Sequence, residues 1–139
     1  MTQIAIGNII LNIDVQSTVD YYMDKPAFIC NCNDCQNYLG QLKSIINEFK
    51  GLDKELGIDL TKDVGIGSDE LMPHHYEDHL LYVVPYYVIG SILPTKASSY
   101  ALNNRINLRF QTYKYNAKMH IKEDAFCMWL EIRLPLLNK

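Results

Sequence analysis

The sequence predicts an α+β domain: a mostly antiparallel sheet of five or more strands, with one main helix at about residues 34–50 packed on it. Apolar and polar residues alternate over residues 106–111 and 126–134, which is the pattern of strands that bury one face. Between residues 38 and 52 apolar residues recur every three or four positions, as they do on the buried side of a helix. Because strand and helix patterns are not interleaved as βαβ units, we interpret the 139 residues as a single antiparallel domain, 1–139.

The first thirty residues predict extended structure. Residues 9–15 alternate between apolar and mostly polar side chains and predict a half-buried strand. Gly7-Asn8 in front of it predicts a hairpin turn from a short strand at Gln3–Ile6, or a bulge. We expect Asp20–Pro26 to be a connector and Ala27–Cys30 to form a second short strand.

The main helix is predicted to begin at Asn33 or Asp34. Asn33 with Gln36 three residues later resembles a capping box, and Gly51 can end the helix in a left-handed conformation. Leu52–Leu56 is expected to add a short turn. The residues predicted to form the buried side are Tyr38, Leu39, Leu42, Ile45, Ile46, Phe49 and Leu52.

The second half begins with an irregular stretch and continues with strands. Ile58–His79 predicts a long loop with a short strand around Val64–Ile66. Leu80–Val84 and Tyr86–Leu93 predict two strands, or one strand bent at Pro85. Since proline cannot donate to a central ladder, we expect that point to be an edge or a bulge.

Charge and hydropathy exclude several classes of protein. The 13 basic and 16 acidic side chains give a net charge of −3, which argues against a nucleic-acid binder. The most apolar stretch, Leu80–Leu93, is broken by Pro85 and Gly90 and is too short to cross about 30 Å of hydrocarbon. With no targeting segment at the start, the sequence predicts a soluble cytoplasmic domain without a membrane or nucleic-acid partner.

Three cysteines, Cys30, Cys32 and Cys35, lie within six residues at the predicted strand–helix junction, whereas Cys127 stands alone in a late strand. The first turn of a helix favours negative charge, so Cys35, at about the first or second helical position, is expected to be the most thiolate-prone. Three interpretations remain open: a metal site, thiol–disulfide exchange by Cys32 and Cys35, or buried unreactive thiols.

A structural zinc site needs four ligands. The three cysteines can supply three thiolates, and His75 or His79, which would share a helix face at a spacing of four, can supply the fourth. Glu77 stands in the wrong position for a zinc peptidase, so any zinc is expected to be structural rather than catalytic.

No catalytic residues are predicted, because the sequence contains neither a phosphate-binding glycine loop nor a nucleophile elbow. Acidic charge and ten tyrosines favour a non-enzymatic domain that binds a protein partner, for instance an immunity-like protein that neutralises a toxin. The alternative is a module built on the Cys30, Cys32 and Cys35 cluster, either a structural metal site with zinc as the candidate cofactor or a thiol redox site.

Short motifs are spread along most of the chain: Cys30-x-Cys32-x-x-Cys35-x-Asn37-Tyr38, then Leu56-Gly57-Ile58-Asp59, and Leu130-Glu131-Ile132-x-Leu134-Pro135. In these motifs the sequence resembles a family of small bacterial proteins to which no activity is assigned. The resemblance implies a bacterial origin and transfers no catalytic residue. Gln36 stands where the family pattern carries a basic residue.

Overall fold

The computed structural model describes residues 1–62, 73–113 and 124–136, which form an antiparallel sheet of seven strands and three helices. The α+β class and the antiparallel sheet of five or more strands are confirmed. Neighbouring strands follow the order β1-β2-β4-β7-β6-β5, and β3 pairs with the beginning of β4. The strands are β1 (Thr2–Ile6), β2 (Ile9–Ile13), β3 (His74–His75), β4 (His79–Ile92), β5 (Ser99–Ala101), β6 (Ile106–Tyr113) and β7 (Ala125–Pro135).

The helices are α1 (Val15–Met23), α2 (Asn33–Phe49) and α3 (Leu52–Leu56). Helix α2 spans nearly the residues of the helix predicted at about 34–50, but the described residues form two further helices, and α3 replaces the predicted short turn. Helix α1 is a correction, because residues 15–23 were expected to end a strand and begin a connector. The Asp14 side chain accepts a hydrogen bond from the backbone N–H of Ser17 at 3.0 Å, and this cap ends the extended stretch at Ile13.

The core lies between α2 and one face of the sheet. Tyr38 of α2 packs against Tyr82 with ring centroids 5.4 Å apart, and its hydroxyl is 2.9 Å from that of Tyr86. Directly paired residues of antiparallel strands point to the same face. The register therefore places these buried side chains together beneath α2: Leu80, Tyr82, Val84, Tyr86, Val88, Phe126, Met128, Leu130, Ile132, Leu134, Ile106, Leu108 and Phe110.

Strand β4 is one continuous strand rather than two. Pro85 pairs with Trp129 in unbroken register, so there is no bulge. The N–H of Ile89 leaves β4 on the side of α1, donating to Thr18 Oγ1 at 3.0 Å, and by strand alternation the nitrogen of Pro85 faces the same edge. The expected edge position is thus confirmed, and Tyr22 helps α1 to cover this edge by donating its hydroxyl to the carbonyl of Tyr87 at 2.8 Å.

The remaining predictions had mixed outcomes. The β1–β2 hairpin is confirmed, with Ile6 paired to Ile9. Ala27–Cys30 does not form a strand, and only Ala27 makes an isolated bridge, to Lys62. The expected strand at residues 64–66 lies outside the described residues. None of the helices in the described ranges is long and apolar enough to cross a membrane.

Candidate metal centre

The three clustered cysteines converge where residues 24–32 lead into α2. Their Sγ atoms all lie within 4.8 Å of one another, and those of Cys30 and Cys32 are 3.3 Å apart. Cys35 is buried, and the other two are partly exposed. The structure therefore brings three sulfur ligands to one point that can be reached from solvent.

Cys32, rather than Asn33, is the N-cap of α2. Its backbone is extended, with φ −69° and ψ 157°, and its Sγ accepts the N–H of Cys35 at 3.3 Å. Gln36 does not close a capping box, because its side-chain amide donates to the carbonyl of Cys30. Cys35 is thus the third residue of α2 rather than the first or second, and its backbone N–H is directed at the sulfur of Cys32.

The sheet supports the first turn of α2 from below through Tyr82. The Tyr82 hydroxyl donates to the carbonyl of Asp34 at 2.6 Å and accepts from the side-chain amide of Asn37 at 3.3 Å. Asn37 also donates to the carbonyl of Pro135 at 3.1 Å, which ties the helix to the end of β7. Burial raises the pKa of Tyr82 to about 12, and the negative charge of Asp34 shifts it in the same direction, so the hydroxyl remains a donor at neutral pH.

The two candidate histidine ligands lie in antiparallel strands and do not share a helix face. His75 is in β3, where it pairs with Leu80, and His79 begins β4. Chain reversal between the strands, not helical periodicity, sets the positions of these residues. The group within 4.8 Å consists of the three cysteines and includes neither histidine.

The surroundings of the two histidines differ. Nε2 of His75 lies 3.0 Å from Oδ2 of Asp34, which stands between Cys32 and Cys35 in the sequence. Both ring nitrogens of His79 have partners: Nδ1 lies 2.7 Å from Oδ1 of Asp78, and Nε2 lies 3.1 Å from Nη1 of Arg133. Sequence reasoning missed Asp34 as a neighbour of His75, because this contact depends on the tertiary packing of α2 and β3.

Cys127 belongs to the sheet and not to the cluster. It pairs with Tyr87 near one end of the β4–β7 ladder and is 4% exposed. Burial raises the pKa of its thiol to about 12, which makes it a poor nucleophile and metal ligand at neutral pH.

The three sulfurs lie close enough together that they could hold one metal ion. Thiolates select zinc or monovalent copper over magnesium or calcium, and three sulfurs exceed what a simple disulfide requires. Comparisons of the chain with protein-family profiles, curated proteins and solved structures gave no match.

Proposed function

We propose that this protein is a metal-binding domain in which Cys30, Cys32 and Cys35 hold one zinc ion with a structural role. The observation that carries the proposal is the convergence of three Sγ atoms within 4.8 Å. Zinc–sulfur bonds of about 2.3 Å at tetrahedral angles place the sulfurs about 3.8 Å apart. The sulfurs of Cys30 and Cys32 are 3.3 Å apart, and no two sulfurs of the cluster are more than 4.8 Å apart. Small side-chain adjustments therefore suffice to reach the zinc-bound separation.

A structural role fits the chain segment that the ion would fasten. Residues 24–32 contain no helix or long strand, and they contact the body of the domain through the Ala27–Lys62 bridge and the hydrogen bond from Phe28 N to Thr61 O at 2.8 Å. An ion bound to Cys30 and to the two cysteines of α2 would tie this segment to the helix. Its binding free energy would then contribute to folding.

The geometry favours metal binding over thiol–disulfide exchange. Exchange uses two cysteines, an exposed attacking thiolate and a resolving partner. Three sulfurs converge here, and Cys35, a member of the predicted redox pair, is fully buried. A metal site accounts for all three cysteines, whereas a redox pair leaves one of them unexplained.

The test is elemental analysis of protein produced with zinc and purified without chelator. We expect about one zinc ion per chain, lost in Cys32→Ser and Cys30→Ser. Cys127→Ala is the matched control, because it removes a thiol outside the cluster and should retain the metal. Zinc-free wild-type protein that also fails to take up added zinc after reduction would contradict the proposal.

A second candidate function, binding of a protein partner, is favoured by exposed apolar side chains at the end of α1 and in the segment that follows it. Met23 is 71% and Ile29 is 77% exposed, and both precede the cysteine cluster. Exposed apolar side chains that form one contiguous patch mark interaction surfaces, and this candidate function requires such a patch around Met23 and Ile29. We therefore propose that the segment fastened by the metal presents Ile29 to a protein such as a toxin.

Affinity capture with wild-type protein and with Ile29→Ser tests this second function. We expect one protein to be recovered stoichiometrically by the wild type and lost with the variant, whose zinc content should be unchanged. If capture of every partner is insensitive to Ile29→Ser and to Met23→Ser, this surface does not bind a partner.

A further inference from the structure

The metal site proposed above requires a fourth ligand. Structural zinc sites are four-coordinate and closed, so three thiolates leave one tetrahedral position to be filled by the protein. Resting on that proposed function, we infer that Nδ1 of His75 is the fourth ligand and that Asp34 orients its ring.

The position of His75 supports this assignment. Its Nε2 lies 3.0 Å from Oδ2 of Asp34, a residue of the first turn of α2 between Cys32 and Cys35. The contact places the imidazole beside the turn that carries two of the three thiols. It also joins β3 to this turn, although the two are distant in sequence.

The hydrogen bond with Asp34 selects the tautomer that a metal requires. A carboxylate can only accept, so Nε2 of a neutral His75 carries the proton and Nδ1 carries the free electron pair. Histidine ligands in metal sites commonly donate their second ring N–H to a carboxylate, which fixes the ring orientation. The hydrogen bond between His75 and Asp34 is therefore the carboxylate–imidazole contact that such a metal site requires.

The ring can turn toward the cluster without disturbing the core. The side chain of His75 is 62% exposed, while its backbone is held by pairing with Leu80. Asp34 is also partly exposed, at 30%, so the two side chains can move together toward the cluster and keep the hydrogen bond between them.

Neighbouring histidines are less suited to this position. Both ring nitrogens of His79 are engaged, and its ring is stacked on Tyr76 with centroids 4.7 Å apart. His74 packs against the same tyrosine at 4.6 Å and, as the strand neighbour of His75, points to the opposite face. His120 lies outside the described residues, and substitution tests it directly.

Cobalt(II) titration followed by absorption spectroscopy tests the assignment, because cobalt(II) adopts the zinc geometry and its visible bands respond to each ligand. We expect wild type, His74→Ala, His79→Ala and His120→Ala to give one common tetrahedral spectrum. His75→Ala should still bind one ion through the thiolates, with shifted visible bands and zinc affinity lowered by at least about tenfold. Asp34→Asn should keep the wild-type spectrum and lower the affinity by about tenfold.

The outcomes separate the two proposals. If wild-type protein binds neither cobalt nor zinc, the proposed function fails and this assignment fails with it. If the wild type binds metal and His75→Ala matches it in spectrum and affinity, the assignment is overturned while the metal site stands. NMR of the imidazole nitrogens in zinc-loaded wild-type protein is independent of any folding defect in a variant. A His75 Nδ1 resonance that zinc does not change would also overturn the assignment.

Discussion

Tyr82→Phe tests whether the sheet positions the cysteine turn. The substitution removes one hydroxyl that donates to the carbonyl of Asp34 at 2.6 Å and accepts from Asn37 at 3.3 Å. Each net hydrogen bond contributes about 1 kcal/mol, and Asn37 keeps its bond to Pro135, so we expect a loss of about 1–2 kcal/mol. In a domain of this size, that loss lowers Tm by roughly 3–8 °C.

Tyr86→Phe is the matched control for this experiment. Tyr86 is also buried, donates its hydroxyl to the carbonyl of Leu60 at 2.9 Å and lies 2.9 Å from the hydroxyl of Tyr38. The Tyr86→Phe variant therefore loses a comparable set of hydrogen bonds, none of which involves the first turn of α2. Urea unfolding of metal-free protein should give similar losses of stability for both variants.

The discriminating measurement is zinc affinity, determined by competition with a chromophoric chelator. We expect Tyr82→Phe to weaken zinc binding by about tenfold, as the loss of supporting partners typically does, and Tyr86→Phe to leave it unchanged. Equal zinc affinities in the two variants would refute a positioning role for Tyr82, and unchanged stability in both would refute the hydrogen-bond reasoning itself.

Three further predictions concern stability and reactivity. Hydrogen bonding by Arg105 lowers the pKa of Glu48 in the folded protein. The stability that Glu48→Gln removes should therefore be present above the ordinary glutamate pKa and disappear as the pH falls through the lower folded pKa. A pH-independent difference between wild type and variant in urea unfolding would contradict this. Gly90→Ala should destabilise the protein by more than about 3 kcal/mol or prevent folding, because a Cβ would stand 2.1 Å from the carbonyl oxygen of Asn12. A variant whose Tm lies within a few degrees of the wild-type Tm would count against the close approach of β2 and β4. Cys127 should react with a thiol reagent at pH 8 only on unfolding, since burial raises its pKa to about 12, and rapid labelling of folded protein would disagree with its burial.

Elements with a strong repeating pattern were predictable from the sequence. The alternation in β6 and β7 and the helical spacing in α2 depend on neighbours a few residues away, so the patterns identify these elements directly. Helix α1 escaped prediction because the residues it buries are Thr18 and Tyr22, which leave little apolar periodicity. Asp14, a favourable N-cap residue, was the local signal for its start.

The cap of α2 shows how a competing acceptor just before the helix overrules a local motif. Asn33 and Gln36 have the residue types of a capping box, yet Gln36 bonds to the carbonyl of Cys30 and Cys32 becomes the cap. The turn of residues 30–32 back against the helix supplies the competing acceptor. A spacing rule contains no information about this acceptor.

The cysteine cluster could be predicted from the sequence alone, because three thiols within six residues at a helix start are kept close by the chain itself. Which histidine contacts the first turn of α2 depends instead on the tertiary structure. Strand pairing and helix packing bring His75 to Asp34 across a long separation in sequence, while His79, equally plausible by spacing, is bound to Asp78 and Arg133. The two contacts differ in the sequence separation that they span. Local geometry follows from covalent connectivity, whereas contacts between distant segments follow from the register of the sheet and the packing of α2 on its face.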